Sequence, residues 1–145
     1  MSEQLAFQML GGARVLGRQV RSLLDLTDLI EKGVPRKAAE QLRARLGLSE
    51  QELARSLGVS TKTLQRQAKA GQSRLSPSQS DRLYRLARIV ALAEEVFEQE
   101  DRARRWLREP QRGLGGRVPF DLLRTEAGAR EVEDLLGRIE HGVFS

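Results

Sequence analysis

Apolar residues recur along this chain with the period of a helix, and nowhere do they alternate with polar ones as a half-buried strand would require. The clearest seam runs through Leu83, Leu86, Val90, Ala93 and Phe97, at spacings of 3, 4, 3 and 4. Such a heptad-like stripe wants a partner helix, and the pattern leaves open whether that helix is in the same chain or a second copy. Val132, Leu135, Leu136 and Ile139 fall at i, i+3, i+4 and i+7, one face of a closing helix. In "PRKAAEQLRARLG" a third stripe joins Ala38, Ala39, Leu42 and Leu46, and Pro35 suits the first helical position.

Polar punctuation fixes where these helices begin and end. "SEQE" (Ser49 to Glu52) and "SPSQ" (Ser76 to Gln79) are capping boxes, in which a serine hydroxyl and a Glu or Gln side chain each satisfy a free amide. Thr125 is placed to cap "EAGAREVEDLLGRIEH", which Gly142 stops. "LLDLTDLI" reads as a short helix closed by Gly33, and "RRWLREP" ends before Pro110. "QRGLGGRVPFDLL" reads as a loop with a brief helical turn, while the first dozen residues are ambiguous. The expectation is an all-α fold. A composition shift at "GQSRLSPSQS" divides it into an N-terminal region, 1–75, and a C-terminal region, 76–145.

Within the first region, "EQELARSLGVSTKTLQRQAKAG" has the layout of a helix-turn-helix. Ala54 is small enough for the second helix to cross closely, and Gly58 supplies the positive φ of the turn. Leu53, Leu57, Val59 and Leu64 form the small core between the two helices. Ser60 caps the second helix, whose outward positions are Thr61, Lys62, Thr63, Gln65, Arg66 and Lys69. In such a module the second helix enters the major groove of DNA, and free amides at its start anchor phosphate. Ser60, Thr61, Lys62, Thr63, Gln65, Arg66 and Lys69 are therefore the candidate DNA-binding residues. A basic helical face that is only solvated is the plain alternative.

Composition sharpens this in one respect. The net charge of +5 matters less than its placement: residues 60–75 carry Lys62, Arg66, Lys69 and Arg74 with no acid. Residues 126–145 carry Glu126, Glu131, Glu133, Asp134 and Glu140 against two arginines. Two oppositely charged surfaces imply two different partners. With no cysteine and one histidine, neither a disulfide framework nor a zinc site is expected. No apolar run reaches membrane length and no signal peptide opens the chain, so a soluble cytoplasmic protein with no membrane contact is expected.

The blocks "SDRLYRLARI", "FEQEDRARRWL", "LGGRVPFDLL", "TEAGAREV" and "GRIEHGV" stand in order through the second region. There the chain resembles the MbcA/ParS/Xre family of bacterial antitoxins, and its helix-turn-helix resembles their DNA-binding half. The resemblance implies a co-expressed RES-type toxin that attacks NAD, a helix-turn-helix that represses the shared operon on its operator DNA, and a C-terminal helical domain that forms a homodimer and clamps the toxin. It also implies a C-terminal end lying against the toxin's active-site cleft. Gly142, Val143, Phe144 and Ser145, with Glu140, His141 and Arg117, are then the candidate toxin-binding residues. An acidic last helix suits a cleft that must attract a pyrophosphate, and an apolar Val143-Phe144 ending offers an aromatic anchor. The bland alternative folds Phe144 back onto the chain's own helices.

Other motifs carry little chemistry. "GLGG" (Gly113 to Gly116) lacks the Lys-Ser/Thr ending of a phosphate loop. His141 has no nucleophile in a matching context, and Glu131, Glu133 and Asp134 read as the solvent face of a helix. Trp106 is expected to fill the core with Phe97 and Leu107. No catalytic group, cofactor or metal is expected. A stand-alone transcriptional regulator without a toxin remains the second reading, and a small-molecule enzyme the third.

Overall fold

The Leu83 to Phe97 seam finds its partners within the chain. In the computed structural model, which describes residues 2–142, it lies on the longest helix, α7 (Pro77–Phe97). Against α7 pack α1 (Ser2–Met9), α3 (Leu23–Lys32), α5 (Glu50–Ser56), α8 (Glu100–Arg108) and α10 (Glu126–Glu140). The remaining helices are α2 (Gly12–Leu16), α4 (Arg36–Leu46), α6 (Thr61–Lys69) and the short α9 (Pro119–Leu122), preceded by a 3-10 turn at Arg112–Leu114. Among the described residues there is no strand, only isolated bridges pairing Pro35 with Arg74 and Gln111 with Arg117. The fold is all-α.

α7 is central because it is apolar on more than one side. Leu83, Leu86, Val90 and Ala93 are buried, and so are Ala87, Ile89 and Ala91 beyond the seam. A helix apolar over so wide an arc belongs in the interior, and its charged residues, Asp81 apart, are half-buried along the remaining edge. Its three alanines let neighbouring helices come close, and each fully buried Leu, Ile or Val contributes about 1.5–3 kcal/mol. The ambiguous first dozen residues supply α1, whose Ala6, Phe7 and Met9, followed by Leu10, are buried.

Both capping boxes form. The Ser76 hydroxyl accepts from the Gln79 amide at 3.1 Å while Gln79 Oε1 accepts from the Ser76 amide at 2.9 Å. Ser49 and Glu52 repeat the exchange. Thr125 Oγ1 accepts from the Gly128 amide at 3.0 Å, capping α10. A Cβ on Gly128 would collide with the Leu122 carbonyl, so glycine is what lets α10 start this close to α9. Pro35 stands one residue earlier than the pattern implied, at the cap of α4, because the helix proper begins with Arg36.

The link after α6 is sewn to the α3–α4 turn. The Arg36 amide donates to the Ser73 carbonyl and the Leu75 amide to the Val34 carbonyl, both at 2.8 Å. Fully buried Ser80 accepts from the Val34 amide at 2.8 Å. These bonds fasten the link after α6 and the start of α4 to the first turn of α7.

Candidate nucleic-acid and partner interfaces

The α5–α6 pair has the geometry its sequence implies. Ala54 is buried, and the Val59 amide closes the turn on the Ala54 carbonyl at 3.0 Å. Gly58 has φ of 76°, and a Cβ there would lie 2.8 Å from the guanidinium carbon of Arg82, which covers the turn. Leu53 and Leu57 are buried, with Val59 and Leu64 packed partly against them. The Ser60 hydroxyl accepts from the Thr63 amide at 3.1 Å and lies 2.9 Å from the Thr63 hydroxyl, to which Arg66 donates at 3.3 Å.

Lys62, Gln65, Arg66 and Lys69 are exposed along α6, whereas Thr61 and Thr63 are half-buried. Thr63 thus spends its hydroxyl on the cap, leaving the other residues as free donors on the outer face. Arg74 is turned away: its guanidinium donates to the Gly33 carbonyl at 2.6 Å. The free basic charge of this block is therefore Lys62, Arg66 and Lys69. Carboxylates stand nearby, since Glu40 and Glu50 line a shallow hollow of about 110 Å³ together with Arg36, Thr61 and Gln65. The block is free of acid along the chain but not in space.

The second surface is α10. Ala129, Val132, Leu135 and Leu136 are buried, and Glu131, Asp134 and Glu140 are exposed, so the acidic face points outward. His141 and Gly142 are exposed at its end, Gly142 with φ of 75°. Val143, Phe144 and Ser145 lie outside the described residues. Arg117 is exposed but not beside Glu140, His141 and Gly142. It borders an open cleft of about 790 Å³ with Arg82, Arg124 and Thr125, at the opposite end of α10. At 1.5 Å per residue the helix separates the two groups by about 20 Å. The "GLGG" segment forms part of the 3-10 turn, tied by the Gln111 amide to the Arg117 carbonyl at 3.0 Å.

Trp106 is half-buried, its ring 5.5 Å from that of Phe97, and Leu107 is buried beside them. Around this cluster run ion pairs that no local spacing announces. Arg108 meets Glu52 at 2.6 Å, joining α8 to α5. Arg45 grips Glu94 through two bonds of 2.9 and 2.8 Å, joining α4 to α7. Arg85 reaches Glu126 at 3.2 Å, and Arg82 donates to the Arg124 carbonyl at 3.2 Å. Glu52 is held below the usual carboxylate range, first by the Ser49 amide and then by Arg108. Burial pushes Glu126 up, but Arg130, Arg88 and Arg85 together carry it below its ordinary value. Partners in these pairs lie 41 to 56 residues apart, beyond the reach of any helical periodicity.

No group of His, Asp and Glu among the described residues is arranged to hold a metal ion, and no helix among them is long and apolar enough to cross a membrane. Residues 92–142 match the model of the antitoxin Xre/MbcA/ParS C-terminal toxin-binding domain, and residues 25–88 that of the antitoxin Xre-like helix-turn-helix domain. Antitoxin Xre of Yersinia enterocolitica is 36% identical over 121 residues, covering 83% of this chain and 81% of that protein. Antitoxin Xre of Photorhabdus laumondii is 29% identical over 133 residues, 91% of this chain and 89% of that one. A Sphingobium protein named Prs ADP-ribosylating antitoxin is 30% identical over 133 residues, 86% of this chain and 83% of its own.

Proposed function

This chain belongs to the Xre antitoxin family, with a helix-turn-helix and a toxin-binding domain, and from that premise we propose that it neutralises a RES-type, NAD-attacking toxin encoded beside it. The end of α10 obstructs the toxin's cleft, and α6 represses the shared operon as part of a homodimer. ADP-ribosylation draws on the same dinucleotide that a RES-type toxin destroys, so the name of the Sphingobium relative favours a partner of this chemistry.

The observation that carries the reading is the division of α10: an apolar stripe, buried from Ala129 to Leu136 and half-buried at Ile139, and an outward acidic face that ends in exposed Glu140, His141 and Gly142. A dinucleotide cleft carries positive charge to hold a pyrophosphate, and an acidic helix end complements it. Glu126, at the start of the helix, is engaged by Arg85 and Arg130, whereas Glu131, Asp134 and Glu140 stand in none of the ion pairs of the described residues. The helix is anchored from within and free to be read from without.

The test removes residues 142–145. The truncated protein is expected to keep its helical signal and its DNA binding while NAD loss and growth arrest return in cells expressing the toxin. Undiminished neutralisation by the truncated chain refutes the obstruction model. Failure of the full chain to co-purify with the product of the neighbouring reading frame leaves the stand-alone regulator in its place. On the operator, two copies of α6 related by a two-fold axis require half-sites separated by a whole number of helical turns, about 34 Å each.

A further inference from the structure

The resemblance puts dimerisation in the C-terminal domain, but the α7 seam there is used inside the chain, so the homodimer needs another face. Leu23 and Leu24 are the large apolar residues left most open among those described, each 77% exposed on the first turn of α3. Single exposed leucines are ordinary, but these adjoin an apolar hollow of about 430 Å³. Its walls include Phe7, Leu16, Val20, Leu26, Ile30 and Tyr84, and Leu23 stands on its edge. A protrusion and a recess of like chemistry therefore share one patch. Much of it, residues 3–24, precedes both family-model matches, which begin at 25 and 92.

Along the sequence that flanks the patch, charge is divided in two bands, and Arg21 also lines the hollow. Residues 13–21 carry Arg14, Arg18 and Arg21 without an acid, and residues 25–31 carry Asp25, Asp28 and Glu31 without a base. Arg18 and Asp25 pair with each other at 3.2 Å. Arg14, Arg21, Asp28 and Glu31 remain exposed and outside the ion pairs of the described residues. DNA would use only the basic band, and a basic toxin cleft only the acidic one. A small apolar ligand in the hollow would meet Leu23 but leave Leu24 in water and both charged bands unpaired. A second copy turned through a two-fold axis satisfies everything at once: each leucine pair faces the other recess, and each acidic band the other's arginines.

We propose that the α1–α3 face is where two copies of this chain join, Leu23 and Leu24 of one entering the hollow of the other. The inference rests on the homodimer reading above and says which surface makes it. Of residues 3–31, 22 are exposed or half-buried, enough to supply one side of a standard interface, which uses about 20–30 residues.

Light scattering coupled to size exclusion tests it on the full chain, whose single-copy mass is 16.3 kDa. The wild type is expected at twice that mass, and the double variant Leu23→Glu, Leu24→Glu at the single mass with an unchanged helical signal. A weakening of the dimer by at least about tenfold is expected, the loss that an interface anchor produces. Asp28→Arg with Glu31→Arg should also yield monomers, and mixing these with an Arg14→Glu, Arg21→Glu protein should restore a dimer of the two. That charge exchange decides the matter if the leucine variant fails to fold. A monomeric wild type overturns the homodimer reading and this inference with it, including the case in which an apolar fluorescent probe fills the hollow instead. A wild-type dimer that survives the leucine change, or a charge exchange without restoration, overturns the inference alone.

Discussion

α6 and α10 both turn a charged face outward, and they are held in opposite ways. α10 is fastened along its length, with four buried apolar side chains and a threonine cap. α6 buries no residue at all. It hangs from its ends: the Ser60 cap, the Gly58 turn under Arg82, and one bond of 3.2 Å from the buried Gln79 to Gln67. Apart from Leu64, half-buried against the core, a helix held this way leaves a broad outer arc for recognition, at the expense of local stability. A helix held along one stripe offers only the opposite stripe, but offers it rigidly. The difference fits a module that adapts to a groove and one that presents a fixed obstruction.

The sharpest way to break this contrast is to truncate one apolar side chain on each helix. Leu136, on α10, is fully buried, and Leu136→Ala is expected to destabilise the protein by about 3 kcal/mol through lost transfer energy and a cavity. Leu64, the apolar anchor of α6, is only partly buried. Leu64→Ala should reduce stability by about 1 kcal/mol, because less area leaves water and a surface site relaxes. Urea unfolding of both variants measures it. Equal losses would mean that α6 is as firmly built into the core as α10, and the contrast would fail.

These two helices also differ in how far the sequence exposed them. The α10 stripe, the Thr125 cap and the α5–α6 turn were legible, because each rests on contacts within one or two helical turns. So was the expected outward face of α6 at Lys62, Gln65, Arg66 and Lys69. What periodicity missed is what tertiary packing decides. It showed one stripe of α7, whereas Ala87, Ile89 and Ala91 are also buried because several helices meet there. It counted Arg74 with the basic face, although a carbonyl 41 residues away captures it. It grouped Arg117 with Glu140, His141 and Gly142, which the length of α10 sets apart. It also left the choice of partner for the α7 seam open, since a heptad pattern is the same for an internal helix and a second chain. Phe144, on which the obstruction reading leans, lies outside the described residues, so the truncation experiment carries that part alone.

On the recognition side, the expected change is in binding rather than stability. Lys62→Ala with Arg66→Ala removes two of the three free cations on α6, and neither side chain supports the fold beyond the bond from Arg66 to Thr63. Operator affinity should fall by about 2 kcal/mol, and the slope of log affinity against log salt should shrink by about 2, one for each phosphate that no longer meets a cation. Titrations at several salt concentrations read both quantities. A slope that does not move would place these two side chains away from the phosphates. The melting temperature should stay where it was, in contrast with the Leu136 variant.

The smallest effect concerns the tie between the two modules. Glu52 caps α5 and pairs with Arg108 of α8 at 2.6 Å, so one carboxylate serves both the helix-turn-helix and the toxin-binding side. Glutamine at the same position can still accept from the Ser49 amide, as capping boxes with Gln do. Glu52→Gln therefore isolates the charge. Its folded-state ionisation lies below the usual carboxylate range, because the Ser49 amide and Arg108 favour the charged form. A depressed folded value means that the contribution is complete above the unfolded-state ionisation and disappears as pH falls through the folded one. Since the pair is partly open to water, about 0.5 kcal/mol or less separates wild type from variant at neutral pH. That gap should close on acidification below the ordinary glutamate range and persist in full at alkaline pH. Urea midpoints of the two proteins at neutral and acid pH give the measurement. A gap of equal size at both would assign the loss to the shape of the cap, and the ionic tie between α5 and α8 would contribute nothing to joining the modules.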